Sequence, residues 1–255
     1  MNLDFVEYQD KMLKCLQLQD EINKRINKKW TKERTEDDFF RAIWLETAEL
    51  MEELPWKWWK KVDTDYDNLQ IEVVDIFHFL LSLILLKHYK VDKRDLYRDY
   101  VDIAISLFFY GLENSKKLSI KELIVKTETL AKQALSGNDM ELILTFAEIV
   151  NTVFDDRALK THFESKEQAT ALQNSENGNK SATISRHPFN QMYMLYIGKN
   201  ILNRIRQEKG YNTGAYKKVI NGLEDNKYLT QIIKHVKNEE ILEDVIRRAF
   251  EELQT

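Results

Sequence analysis

The chain has 255 residues, with 38 basic and 42 acidic side chains for a net charge of −4, two prolines, seven glycines and one cysteine. That length can bury a substantial core, and the near balance of charge excludes a general nucleic-acid binder, which needs a broad basic surface. So little Pro and Gly points to long helices, and the lone Cys15 excludes an internal disulfide or a cysteine zinc cluster and fits a reducing cytoplasm.

The first predicted helix covers residues 3 to 28. Its stripe runs Phe5, Met12, Leu16, then Gln19, Asn23, Ile26 and Trp30 at helical spacing, with two carboxamides where leucine would be ordinary. Buried amides need partners. They either bridge to other helices or form a pocket for a flat heterocycle. A carboxamide offers one acceptor and two donors, complementary to the edge of uracil. Residues 31–38 (TKERTEDD) form a charged connection with Thr35 or Asp37 as N-cap.

A second helix runs from about 38 to 54 and stops before Pro55. Trp56, Trp58 and Trp59 follow, either filling space or, for one of them, covering a ligand. A third helix spans about 69–90. Its apolar run, Ile76–Leu86, is interrupted by His78 and Ser82 and is too short to cross a bilayer. No cationic-then-apolar leader opens the chain. The expected protein has no membrane partner and is cytoplasmic.

Both helices carry acid in their apolar stretches. Glu46 and Glu49 lie three apart on one, and Glu72 and Asp75 three apart on the other, so each pair projects as one patch. One such pair is common on a solvated face; two in strongly apolar helices are much rarer. Packed together, four carboxylates would repel and resist desolvation. A hard divalent cation such as Mg²⁺, which takes oxygen ligands and also holds phosphate oxygens, relieves that cost. Asp75-x-x-His78 resembles half of a di-iron motif, but no second carboxylate-x-x-His element accompanies it.

Further helices are expected at 93–112, 119–135 and 138–157, with breaks at Gly111 and Ser136-Gly137 and no chemistry assigned. Residues 165–186 read as a polar loop. From Asn190, Ile197, Ile201 and Ile205 share one helix face, with Lys199, Asn203 and Arg206 opposite. Four of the seven glycines (Gly198, Gly210, Gly214, Gly222) fall here, with Tyr211, Lys217 and Lys218 in the loop after Gly210. This is either a polyphosphate clamp or a solvated helix face followed by a basic loop. A last amphipathic helix covers about 239–253. No Walker loop, serine elbow or pair of histidines at metal spacing is present in the sequence.

The runs WLETAELMEELPWKWWK, IEVVDIFHFLLSL and YIGKNILNRIRQEKGYNTGAYKKVINGLEDN resemble the dimeric, all-α dUTPases, members of the all-α NTP pyrophosphatase superfamily. The resemblance implies one all-α domain over 1–255, a helical bundle of that type, with a variable helical segment and polar loop at about 91–186. It implies hydrolysis of dUTP to dUMP and pyrophosphate, and of dUDP to dUMP, by a homodimer holding two or more Mg²⁺ per site. By position, Glu46, Glu49, Glu72 and Asp75 become metal ligands, with Glu49 the expected base and Glu46 the next candidate. Gln19 and Asn23 match the uracil-recognising amides, while Trp59, His78, Phe79 and Asn203 match the nucleoside pocket. Lys199, Arg206, Tyr211 and Lys218 match phosphate contacts. The residues leave two alternatives: a related pyrophosphatase for dCTP or another nucleotide, or a non-catalytic nucleotide-binding helical protein.

Overall fold

The structure is a computed structural model that describes residues 3–61, 64–90, 99–155, 187–236 and 238–252. In chain order the helices are α1 (Leu3–Ile26), α2 (Trp30–Glu33), α3 (Glu36–Glu52), α4 (Tyr66–Lys90), α5 (Tyr100–Asn114), α6 (Ile120–Ser136) and α7 (Asp139–Val153). They continue with α8 (Pro188–Glu208), α9 (Asp225–His235) and α10 (Glu239–Glu252). Between α8 and α9 lie a 3₁₀ turn (Tyr211–Thr213) and a two-stranded hairpin, β1 (Val219–Ile220) and β2 (Leu223–Glu224). The fold is all-α.

Local chemistry sets the ends. Thr35 caps α3, and its backbone N–H donates to Asp38 Oδ2 at 2.8 Å. Ser119 and Glu122 cap α6 reciprocally, and α6 ends on Gly137 at φ +70°. Pro188 opens α8, where its missing N–H costs nothing.

The core is organised around α4. Val73, Val74, Ile76, Phe77, Leu80, Leu81 and Leu83 are all buried, so this helix is apolar around most of its circumference. By length and composition it is apolar enough to cross a membrane, but 83% of its most apolar stretch is covered by the fold. α3 packs along α4, α1 lies against α4 and α8, and α5 pairs with α7. The functional consequence is that α3, α4, α1 and α8 all border one region.

Three expectations change. Gly111 does not break a helix: it lies inside α5, where an added Cβ would come 2.9 Å from Ala147 Cβ and 3.2 Å from the Leu144 carbonyl on α7. The glycine marks a close helix crossing. Residues 219–235 form a hairpin and a helix rather than a simple loop, with Asn221 (φ 51°) and Gly222 (φ 81°) making the tight turn between Ile220 and Leu223. The solvated-face alternative for α8 fails, because Lys199 and Arg206 are buried. Residues 93–98 of the helix expected at 93–112, residues 156–157 of the one expected at 138–157, and the polar loop at 165–186 lie outside the described residues.

Candidate active site

One carboxylate oxygen from each of Glu46, Glu72 and Asp75 lies within 4.8 Å of the others, bringing α3 and α4 together at an acidic centre. Among the described residues no other group of three His, Cys, Asp or Glu side chains converges in this way. Glu49, one turn along α3, is exposed and outside the trio, yet its charge is felt by both Glu46 and Glu72. Burial, then the charges of Asp75 and Glu49, pushes Glu46 up to about 7. Burial, then Asp75 and Glu46, pushes Glu72 up to about 8. An all-oxygen donor set whose own members resist ionisation fits a hard divalent cation. Asn68 also belongs here: its Nδ2 donates to Glu72 Oε1 at 3.0 Å and to Glu53 Oε1 at 2.9 Å, fixing the Glu72 carboxylate from four residues back.

Cations from α8 face the acids. Lys199 is 2% exposed, and its Nζ donates to Asp75 Oδ2 at 2.7 Å and to Asn226 Oδ1 at 3.0 Å. Arg206 forms a two-point ion pair with Asp225, Nε to Oδ2 at 2.9 Å and Nη2 to Oδ1 at 2.7 Å. It also donates to Asn203 Oδ1 and Asn226 Oδ1, both at 3.1 Å. Of five guanidinium N–H groups, four are therefore engaged within the chain. Asp225 additionally accepts from Tyr216 Oη at 2.9 Å, and its backbone N–H donates to the Lys218 carbonyl at 2.8 Å. The 210–226 excursion is thus tied to α8. At its rim the exposed Lys218 stands over the Tyr211 ring, 5.6 Å from the centroid, and its charge reaches Glu46.

The two carboxamides of α1 meet α4. Gln19 Nε2 donates to Ser82 Oγ at 2.9 Å and to Asn23 Oδ1 at 3.1 Å; Asn23 Nδ2 donates to the same hydroxyl at 3.0 Å. Gln19 Oε1 lies 2.7 Å from His78 Nδ1 and 3.3 Å from Tyr196 Oη. His78 Nε2 is buried and has no hydrogen-bond partner among the described residues. Burial holds this imidazole down to about 3, so it is neutral. The amides therefore do bridge to other helices, and they do so beside the acidic centre, since Asp75, Lys199 and Arg206 all act on the His78 ring. Phe79 is partly buried against the core. Trp59 is more than half exposed in the tryptophan turn, edge-on to Trp56 at 5.3 Å and Trp58 at 5.6 Å.

Sequence reasoning passed over Asn68, Ser82, Tyr196, Asp225 and Asn226. Ser82 had left a trace as an interruption in an apolar run; Asn68 and Asp225 look like ordinary polar residues at helix starts.

Fold and site define a class: an all-α protein in which converging acids of two core helices face buried cations of a third. Among such proteins the dUTPase family profile matches residues 11–211, well over half of the chain, and the chain belongs to this family of all-α dimeric dUTPases. It is accordingly a dUTP diphosphatase. The match ends at Tyr211, so the hairpin, Asp225 and Asn226 lie beyond it. A comparison with curated proteins returns no match.

Proposed function

We propose that the chain hydrolyses dUTP to dUMP and pyrophosphate in a Mg²⁺-dependent reaction, and also hydrolyses dUDP. The observation that carries this is the convergence of Glu46, Glu72 and Asp75 opposite Lys199. Glu46, Glu72 and Asp75 would hold the metal, and a second ion would draw on Glu49. When bound, Mg²⁺ lowers the pKa of water and offsets phosphate charge.

Glu49 is exposed and outside the trio, so one oxygen of its carboxylate would meet the second ion while the other takes a proton from water as general base. Glu46 is the next candidate. Lys199 has three N–H donors and two bonds within the chain, so one remains for a phosphate oxygen. Arg206 keeps one as well, and Lys218 with Tyr211 closes the rim. Such preset donors stabilise charge that develops on the phosphates. For the base, Gln19 and Asn23 form the recognition element, with Asn23 the outer amide still holding an N–H for a ring carbonyl. His78 Nε2 supplies an unpaired acceptor suited to a ring N–H. Trp59, Phe79 and Asn203 border the nucleoside.

A homodimer completes the reading. Trp44, Leu45, Trp56 and Trp58 are exposed on α3 and the turn after it, and an apolar surface of this kind suits a second copy.

Product analysis of dUTP, dUDP and dCTP, each with Mg²⁺ and with EDTA, tests the proposal. The expected result is dUMP from dUTP and dUDP only with metal. Turnover in EDTA, or faster turnover of dCTP than of dUTP, would overturn it.

A further inference from the structure

Ser82 is 1% exposed and makes four polar contacts within hydrogen-bond distance at its hydroxyl. A hydroxyl has one proton and two lone pairs. The proton goes to the His78 backbone carbonyl at 2.9 Å, since the other acceptor in reach, Asn23 Oδ1, is farther at 3.4 Å. The lone pairs then accept from Gln19 Nε2 and Asn23 Nδ2.

This assignment removes an ambiguity that amides ordinarily carry. Rotating Gln19 by itself would bring its oxygen against Asn23 Oδ1. Rotating both amides would turn two carbonyl oxygens toward a hydroxyl that has a single proton, so that at least one of them would face a lone pair. Either arrangement leaves acceptors facing acceptors in a buried site, a costly outcome. Tyr196 fits the same orientation, because its hydroxyl stands 3.3 Å from Gln19 Oε1 as a donor, shared with the nearer Cys15 carbonyl at 2.8 Å. Gln19 Oε1 therefore faces His78, and an amide oxygen can only accept, so Nδ1 must carry the ring proton. Nε2 is then a bare lone pair, and it is the ring atom that is buried without a partner among the described residues.

We propose that Ser82 is a specificity-determining positioning residue: by orienting both carboxamides it holds His78 in the Nδ1–H tautomer, whose Nε2 accepts from a pyrimidine N3–H. Uracil carries that hydrogen. Cytosine has a lone pair at N3, which would meet the lone pair of Nε2. The inference rests on the base-recognition reading of Gln19 and Asn23 and adds what sets their sense.

Two measurements test it. In ¹⁵N-histidine-labelled wild-type protein, the His78 ring should give the chemical shifts of a protonated Nδ1 and a bare Nε2; the opposite tautomer overturns the proposal without any variant. Ser82→Ala should lower the ratio of kcat/KM for dUTP over dCTP by about ten-fold or more, and should mix the two His78 tautomers. An unchanged ratio in Ser82→Ala overturns the role of Ser82. Gln19→Met separates the two levels. If it loses discrimination while Ser82→Ala keeps it, the base-recognition reading stands and the Ser82 inference falls; if neither loses it, both fall.

Discussion

Asp225, the first residue of α9, is 1% exposed and gathers the Arg206 guanidinium and the Tyr216 hydroxyl on one carboxylate. Removing one member of a buried ion pair leaves the other desolvated and unpaired. Asp225→Ala is therefore expected to cost about 3–5 kcal/mol, measured by denaturant unfolding, with KM for dUTP rising as Arg206 loses its seat. An unchanged unfolding midpoint would mean that Arg206 finds another partner. Legibility at this scale was uneven. Gln19 and Asn23 stood out because amides interrupt an apolar stripe, and the structure joins them to Ser82 and His78. Asp225 could not stand out, since an acidic residue in a polar stretch acquires meaning only when a distant Arg206 reaches it.

Among the elements, the helices were legible because a 3.6-residue period persists over many turns, and α3, α4 and α8 fall within a few residues of expectation. The hairpin was not, since two-residue strands carry no period. Gly111 shows the limit of reading punctuation: the same residue type ends a helix or admits a neighbour. Gly111→Val should push α5 from α7, because neither Ala147 Cβ nor the Leu144 carbonyl can rotate away, at about 1–3 kcal/mol. A thermal melt checks it, and an unchanged melting temperature would refute the close crossing. The junction of α3 and α4 gives a pH prediction. Glu46 and Glu72 lie at about 7 and about 8 against an ordinary 4.5, so the folded state holds their protons more tightly than the unfolded chain does. Metal-free stability from this pair is thus lost as pH rises through those values. Below them a cation must displace protons to bind. Mg²⁺ should accordingly raise the melting temperature more at about pH 9 than at about pH 6; an equal shift at both would separate these acids from the metal.

For the whole molecule, exposed apolar side chains among the described residues gather on α3 and the tryptophan turn, where Leu45 is 50% and Trp58 90% exposed. If this face mates with a second copy, Leu45→Glu should shift sedimentation from dimer toward monomer. A wild-type monomer at all concentrations would remove the homodimer from the proposal. The sequence by itself determined that the chain is helical, that two apolar helices carry paired acids, and that a basic segment follows late in the chain, because composition and period act over short range. Only the tertiary structure decided which acids meet. Glu46, Glu72 and Asp75 converge while Glu49 stays at the surface, since burial depends on how α3 turns against α4. It also decided that Lys199 and Arg206 are buried and already bonded, because the partners that hold them, Asp75, Asp225 and Asn226, come from other helices brought near by packing.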